Sequence, residues 1–376
     1  MGTPAGQGLT VAFFSSARAY GGGEEQLRLL AAGLCRRGAA AVVFARKDGS
    51  LAGRMQAEGF EVIPLPGRGL GPQALWRTRQ HLRRLRPEVV HYNDSHAMSG
   101  GGLAALGLTV PVRIAARRTV FPLRSALRYR LLADRVICVS QAAAEVCRAG
   151  GLPPGMLRVV HDGVDVTRVA SGDRRRGRDA LGIADGQVLL LCVAQLADCK
   201  GHRYLLDALP EVVGRRPEVI AVLAGDGELR GPLEAHARSL GIDRQVRFVG
   251  YRDDVPDLIQ AADLFVLPSH TEALGSSLID AMLAGRPIVT TTAGGIPELT
   301  GSGDRPDERL AWTVPPRDAR ALAGAILAAL DSPRERQDWP DRARHRAEQL
   351  FTADRMVEAT LQVYMEVLEG RFPDRL

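Results

Sequence analysis

The chain has 376 residues, 45% of them hydrophobic and 5% aromatic, and a formal net charge of +6. That length fits two domains of about 180 residues, and the composition is that of an ordinary soluble α/β protein. No uncharged apolar run reaches the roughly 18 residues that a membrane helix needs, so a spanning segment is not expected.

Leu9–Ser15 reads as an apolar strand, Gly21-Gly22-Gly23 as a loop, and Glu24–Arg37 as a helix with Leu27, Leu30, Ala31 and Leu34 on one face. Further strands are expected at 40–45, 61–65, 89–92, 112–116, 135–139 and 158–160, with helices at 73–85 and 141–148 between them. This is the rhythm of a parallel sheet covered on both faces. The pattern breaks at 161–178, a polar, basic and Gly-containing stretch that reads as a linker, with the Arg174–Arg178 run as a solvated face. A second alternation follows, with strands at 188–194, 219–224, 247–249, 264–267 and 288–291. Its helices fall at 202–213, 229–240, 255–261, 277–284 and 319–330. The expected fold class is therefore α/β: two tandem Rossmann-like domains with a cleft between them.

The segment 268–298, PSHTEALGSSLIDAMLAGRPIVTTTAGGIPE, carries the most chemistry. It places Glu272 in a loop and Asp280 early in the helix that follows, on the side facing that loop. Hydrogen-bond acceptors thus stand beside the free N–H groups of a helix start at Gly275, Ser276 and Ser277. Hydroxyls need acceptors and phosphate needs donors, so the mixture suits a polyhydroxylated, phosphate-bearing ligand.

The same segment resembles the donor-site signature of retaining, nucleotide-sugar-dependent glycosyltransferases of family 4. The match rests on Glu272, Ala281-Met282, Gly285-Arg286-Pro287 and Gly294-Gly295-Ile296-Pro297-Glu298. It departs at Asp280, where Glu is usual, and at Ala273, where Gly is usual. The resemblance implies the GT-B fold. Residues 1–165 would form an acceptor-side domain and 166–351 a nucleotide-sugar domain, with a C-terminal helix in 352–376 crossing back to the first.

Several site roles follow from the resemblance. Gly22 and Gly23, with Glu24 behind them, look like the loop that closes over the donor phosphates; a Gly-rich turn by itself is a weak signal. Lys200, before a helix, would hold the departing diphosphate as a compact cation. The arginine that usually accompanies it, five residues earlier, is replaced by Gln195, leaving that contact weakened or supplied elsewhere, for instance by Arg203. Glu272 would touch the donor sugar and Asp280 the ribose. Gly225 and Asp226 form a tight turn that lines the nucleotide site in such enzymes. Arg252 resembles the family's loop near the base, although Asp253 or Asp254 could equally cap the next helix. His96 is the acceptor-side histidine of choice over His91. Arg117 and Arg118, where another His is common, would favour a phosphorylated or carboxylated acceptor.

No zinc spacing, HExxH, strand-end DxD or GxSxG motif is present, so no metal or other cofactor is expected and the nucleotide sugar enters as substrate. The chain has two lysines, Lys47 and Lys200; its basicity is almost entirely arginine. Twelve arginines stand between Arg68 and Arg130 against Glu88 and Asp94. That stretch fits either a solvated surface or a face meeting anionic lipid headgroups or a phosphorylated acceptor. Nucleic acid is not expected, since no aromatic residues interleave with the basic ones. Five cysteines without a CxxC pair read as reduced, packed thiols, and the start MGTPAGQGLTVAFF lacks the features of a secretory leader. A cytoplasmic enzyme is expected, peripheral at the membrane's inner face if the arginine-rich stretch meets lipid. It would act on a glycan or lipid-linked acceptor in cell-envelope polysaccharide or lipopolysaccharide synthesis. A nucleotide-sugar 2-epimerase and an inactive sugar-nucleotide-binding protein are the rival readings.

Overall fold

The computed structural model describes residues 8–67, 69–301 and 308–371. The first seven residues of the N-terminal stretch, Arg68, and 372–376 of the expected C-terminal segment lie outside the described residues. The chain divides into two compact units, one comprising residues up to Gly163 plus those from Ala353 onward, the other Val164–Thr352.

Within the described residues of the first unit, seven strands pair in parallel: β1 (Thr10–Ser15), β2 (Ala40–Arg46), β3 (Glu61–Leu65), β4 (Val89–Tyr92), β5 (Val112–Arg117), β6 (Arg135–Cys138) and β7 (Leu157–Val159). Their order is β3-β2-β1-β4-β5-β6-β7. The central strand β1 is apolar on both faces because both are covered. Phe13 joins Leu27, Leu30 and Leu34 of the helix Gly22–Arg36 and Val357 and Tyr364 of the helix Ala353–Arg371. Phe14 points the other way, stacks on Phe44 with ring centroids 4.3 Å apart, and packs beneath Gly101 of the helix Ser95–Ala105. The C-terminal helix is drawn in by a small residue: a Cβ on Gly33 would come within 2.4 Å of the Val357 side chain. Helices Pro72–Leu85 and Ala126–Leu132 flank Ser95–Ala105 on the Phe14 face.

The second unit repeats the plan with β8 (Val188–Val193), β9 (Val219–Ala224), β10 (Val246–Gly250), β11 (Leu264–Leu267), β12 (Ile288–Thr291) and β13 (Trp312–Val314). These are ordered β10-β9-β8-β11-β12-β13 and again all parallel. Both units are therefore Rossmann-like α/β layers. In each, the strand order reverses once, between β1 and β4 and between β8 and β11. Ligands of such sheets bind beyond the strand C-termini at that reversal.

The stretch 161–178 corrects the linker reading. It holds the helix Val166–Ala170 and the start of Arg174–Leu181, whose N-termini are capped by the carboxylates of Asp165 and Asp173. Nor is the arginine run merely solvated. Arg174 and Arg178 both pair with Asp263, at 2.6 and 3.2 Å, and Arg176 pairs with Asp257. The carboxylates of Asp257 and Asp263 give these arginines fixed partners that composition does not reveal. Among the described residues, no helix is long and apolar enough to cross a membrane.

Candidate functional site

In the second unit β8 and β11 are direct neighbours, with Leu190 opposite Leu264. The segments leaving their C-terminal ends meet. A 3-10 turn, Asp198–Lys200, follows β8 and ends at Gly201 in the left-handed region (φ 68°). Only glycine fits there, because a Cβ would lie 2.1 Å from the Pro268 carbonyl oxygen. After β11, the backbone N–H groups of His270 and Thr271 both donate to the Cys199 carbonyl, at 3.0 and 3.2 Å. This stitching brings the Lys200 Nζ to within 2.6 Å of the Glu272 Oε2, which also accepts from the Ser269 hydroxyl at 3.1 Å. Glu272 is buried, and its carbonyl is pressed by Gly294 (φ 53°), where a Cβ would lie 1.8 Å away, and accepts from the Gly295 N–H at 3.2 Å. The Gly294-Gly295 pair of the signature thus supports the Glu272 loop from below.

Gly275 (φ 100°) starts the helix Ser276–Leu283 without a side-chain cap, leaving the first N–H groups open beside Glu272. Asp280 is the fifth residue of that helix, within a residue of the position the sequence suggests. It is buried, and the Arg168 guanidinium donates to its Oδ1 at 2.7 Å. Among the described residues the Arg168 Nε has no partner.

Gly225 (φ 143°) and Gly227 lie against the backbone of Ala194–Leu196: Cβ atoms there would meet the Ala194 and Leu196 carbonyls at 2.0 and 2.4 Å. Gln195 is exposed beside this turn, and Asp226 folds its carboxylate onto the Gly227 N–H at 2.8 Å. Arg203 does not stand in for the missing arginine at Gln195. It is exposed and leans toward Asp207 one turn along its own helix, at 3.8 Å. Arg252 is gripped by Asp254 through both guanidinium arms, which raises the arginine's pKa and lowers that of the carboxyl. Asp254 occupies the helix N-cap position, yet its side chain makes no capping bond because Arg252 holds it.

The first unit builds a second cluster at its own reversal. The helix Gly22–Arg36 begins at Gly22, two residues earlier than expected, so Gly22 and Gly23 are its first residues and Gly21 its N-cap. The Gly23 carbonyl accepts from the buried Asn93 amide at 3.0 Å. Asp94 accepts from the Ser16 hydroxyl and N–H, at 2.6 and 2.8 Å, and caps the helix Ser95–Ala105 through the His96 and Ala97 N–H groups. Glu24 is buried near Asp94, and burial first, then that neighbouring charge, raises its pKa. His96 is exposed at this helix start. His91 faces away, bonded through Nδ1 to the Tyr364 hydroxyl at 2.7 Å, and burial drives its pKa down to about 3.

Arg117 and Arg118 do not form the paired anion clamp expected of them. Arg118 is neutralised by Asp162, while Arg117 donates to the Phe121 carbonyl; adjacent residues of an extended segment point to opposite sides. Sequence reasoning missed Arg168, Ser269 and Asn93. Arg168 could have been suspected only from Asp165, a helix cap three residues before it; nothing in the spacing joins it to Asp280. Among the described residues, no group of three or more His, Cys, Asp or Glu side chains could hold a metal ion.

Comparison with known proteins agrees with this layout. The family model described as "Glycosyltransferase Family 4" matches residues 20–168, and that described as "Glycosyl transferases group 1" matches 173–346. The chain belongs to glycosyltransferase family 4. It is 33% identical over 249 residues to D-inositol 3-phosphate glycosyltransferase 2 of Catenulispora acidiphila, covering 63% of this chain and 57% of that protein. It is 30% identical over 237 residues to glycogen synthase of Mycobacterium tuberculosis, covering 62% and 54%. The chain thus spans a little over half the length of the curated relatives it matches. Among solved structures, Anabaena Alr3699/HepE in complex with UDP-glucose superposes with a TM-score of 0.83 at 24% identity, covering 96% of this chain and all of that one. WaaG, a glycosyltransferase involved in lipopolysaccharide biosynthesis, gives 0.72 at 19% identity, covering 95% and 99%. These two likenesses concern the fold. This family 4 chain therefore has the two Rossmann-like units of the GT-B fold, with Lys200 and Glu272 at the reversal of the second.

Proposed function

We propose that the protein is a retaining glycosyltransferase that moves a sugar from a nucleoside-diphosphate sugar to a hydroxyl of a glycan or lipid-linked acceptor. The observation that carries this reading is the Lys200–Glu272 pair beside the uncapped start of Ser276–Leu283. A sugar leaving its donor develops negative charge on the diphosphate. A compact ammonium and a helix N-terminus are suited to stabilise that charge without rearranging. Glu272, oriented by Lys200 and Ser269, offers acceptor oxygens to the sugar hydroxyls, and Asp280, held by Arg168, offers them to the ribose. Gly22 and Gly23 are assigned to the donor phosphates and Gly225, Asp226 and Arg252 to the nucleotide. Gln195 donates hydrogen bonds but no charge, so Lys200 bears most of the leaving-group stabilisation.

The acceptor is assigned to the first unit, with His96 and the Glu24–Asp94 cluster as its polar contacts. In the retaining course proposed, the acceptor attacks from the face the diphosphate leaves, and the departing phosphate takes the proton. The relatives' names, one an inositol phosphate glycosyltransferase and the other a glycogen synthase, leave the acceptor's identity open. WaaG's name supports the envelope-glycan class only through a shared fold. The engagement of Asp280 by Arg168 and the absence of charge at Gln195 favour, as a second reading, a chain that binds sugar nucleotides without turning them over.

Calorimetric titration with UDP, GDP, ADP and CMP, in chelator and then with Mg²⁺, tests the donor site and the metal-free expectation together. Micromolar binding of one nucleoside diphosphate in chelator supports the reading and selects the donor for product analysis. Binding to none would remove the roles given to Lys200, Glu272 and Asp280, and donor binding without any transfer or hydrolysis would leave the second reading standing.

A further inference from the structure

The first unit exposes large apolar side chains that its fold does not need. Trp76, on the helix Pro72–Leu85, is 61% exposed; Leu127 and Leu131, on Ala126–Leu132, are 65% and 58% exposed. Leu103 and Leu106, at the end of Ser95–Ala105, and Phe121, in the loop before Ala126, are each 45% exposed or more. The three helices lie side by side on the Phe14 face of the sheet. Arg79 bonds the Ala104 carbonyl at 3.0 Å, tying the first to the second, and Arg128 bonds the Ser99 hydroxyl at 3.1 Å, tying the third to the second. A Cβ on Gly102 would come within 3.0 Å of Leu132, so the second and third helices are in close contact. The exposed apolar residues therefore share one continuous outer surface rather than being scattered.

That surface is also cationic. Arg77, Arg83 and Arg84 follow Trp76 at helical spacing on the exposed side, while Ala74, Thr78 and Leu82 of the same helix are buried. Arg124 and Arg130 are exposed beside Leu127 and Leu131. Among the described residues, none of these five arginines has a carboxylate within ion-pair reach. The two acids of the stretch are turned inward: Glu88 accepts from the Thr10 N–H at 2.8 Å, and Asp94 caps the helix Ser95–Ala105. Unpaired arginines ringing exposed Trp, Phe and Leu match one environment, the boundary where anionic headgroups meet acyl chains. There, indole and leucine side chains enter the apolar layer and guanidiniums bind phosphate. Protein interfaces also favour Trp, Phe and Arg, but a protein partner would have to supply a carboxylate to each unpaired guanidinium that it buries.

We infer that this three-helix face docks the protein on an anionic lipid bilayer. The docking surface lies wholly within the first unit and uses none of the residues assigned to the donor. It does not depend on the transferase reading, because it can be measured without any sugar nucleotide. Where that reading also holds, it favours an amphiphilic acceptor presented at the bilayer.

The test is co-flotation of the full chain with vesicles of phosphatidylcholine alone and of phosphatidylcholine with a third phosphatidylglycerol, at 50 and 500 mM NaCl, where the screening length is about 14 and about 4 Å. Binding to the anionic vesicles at low salt, at least about tenfold weaker on neutral ones and at high salt, is expected. Arg83→Glu with Arg84→Glu should abolish it, and Trp76→Ala with Leu127→Ala should weaken it by about tenfold; both pairs are solvent-facing and should leave the circular dichroism and melting of the chain unchanged. The emission difference between the wild type and Trp76→Phe should shift to the blue on anionic vesicles, placing the indole out of water. Absence of binding at low salt, or binding that neither pair alters, would overturn the inference. So would a concentration-dependent dimer, detected by sedimentation and dissolved by Trp76→Ala with Leu127→Ala, since the face would then belong to a second copy.

Discussion

Lys200 and Glu272, 72 residues apart in the chain, meet at 2.6 Å where β8 and β11 deliver their C-terminal ends side by side. The carboxylate is the more buried partner, with its side chain 9% exposed against 25% for the lysine. A charge pair held this way is costly to create and costlier to break, so its upkeep by Gly201, Gly294 and the Cys199 carbonyl points to use rather than to stability.

Removing the ammonium should therefore act twice. Lys200→Ala is expected to lower kcat by about a hundredfold with little change in donor KM, as befits a group whose contact strengthens as charge develops. It should also cost roughly 1–3 kcal/mol of stability by leaving Glu272 buried and unpaired, a figure discounted for the lysine's partial exposure. Lys200→Arg keeps the charge but not the compact shape and should recover stability more than rate. Steady-state kinetics with chemical denaturation separates the two effects, and an unchanged kcat in Lys200→Ala would take the residue out of the mechanism.

Asp280 and Arg168 form the second pair, at 2.7 Å. If the carboxylate receives the ribose hydroxyls, Asp280→Glu, longer by one methylene, should change nucleoside-diphosphate affinity severalfold with a melting temperature close to wild type. Arg168→Ala should weaken binding by about tenfold through loss of the carboxylate's orientation. The double variant should lose less than the sum of both, the signature of residues acting together. Titration calorimetry on the four proteins decides it; a stability loss without any affinity change would make the pair structural.

The strand ladder was legible in the sequence because parallel strands buried on both faces read as plain apolar runs: Val219–Ala224, Leu264–Leu267 and Ile288–Thr291 fall where expected. Helices whose buried face is made of Gly and Ala were not. Ser95–Ala105, which packs Gly101 and Gly102 against Phe14 and Leu132, has too little hydrophobic contrast to announce itself. The hydrophilic Pro333–Leu350, whose buried residues include Ala343 and Ala347, escaped for a similar reason. At the site, motif spacing located Glu272, Lys200 and the glycines. Ser269 bonds Glu272 from three residues away, a local contact that the motif does not mark, whereas Arg168 reaches Asp280 through a tertiary contact with no fixed spacing; the divergence of Arg117 and Arg118 could be seen only once the loop to Phe121 was in place.

Gly201 and Gly294 should prove irreplaceable for different reasons than a glycine in an open turn. Gly201→Ala must resolve a left-handed backbone and a Cβ 2.1 Å from the Pro268 carbonyl oxygen, and Gly294→Ala one 1.8 Å from that of Glu272. Each is expected to cost roughly 2–4 kcal/mol. Gly241→Ala, with φ +70° but nothing within 4 Å, should cost only about 1 kcal/mol. Urea denaturation of the three variants checks the contrast, and equal losses at all three would mean that the close approaches relax freely.

Acid should destabilise the fold through two buried imidazoles. Burial, with a smaller contribution from the Lys200 charge, pushes the His202 pKa down to about 4, and burial, with Arg118, takes that of His91 to about 3. In the unfolded chain both protonate near the ordinary value of about 6.5. Between that value and the folded one the unfolded state holds more protons, so stability is flat above about pH 6.5 and falls as pH drops toward 4. At pH 5 each histidine should account for about 2 kcal/mol of the loss. Neither ring nitrogen of His202 has a partner among the described residues, so His202→Leu should be close to neutral at pH 7.5 and should flatten the acid limb by about that amount. Denaturation midpoints from pH 7.5 to 4.5 on the wild type and the variant measure this; parallel curves would show that His202 is already protonated in the folded protein.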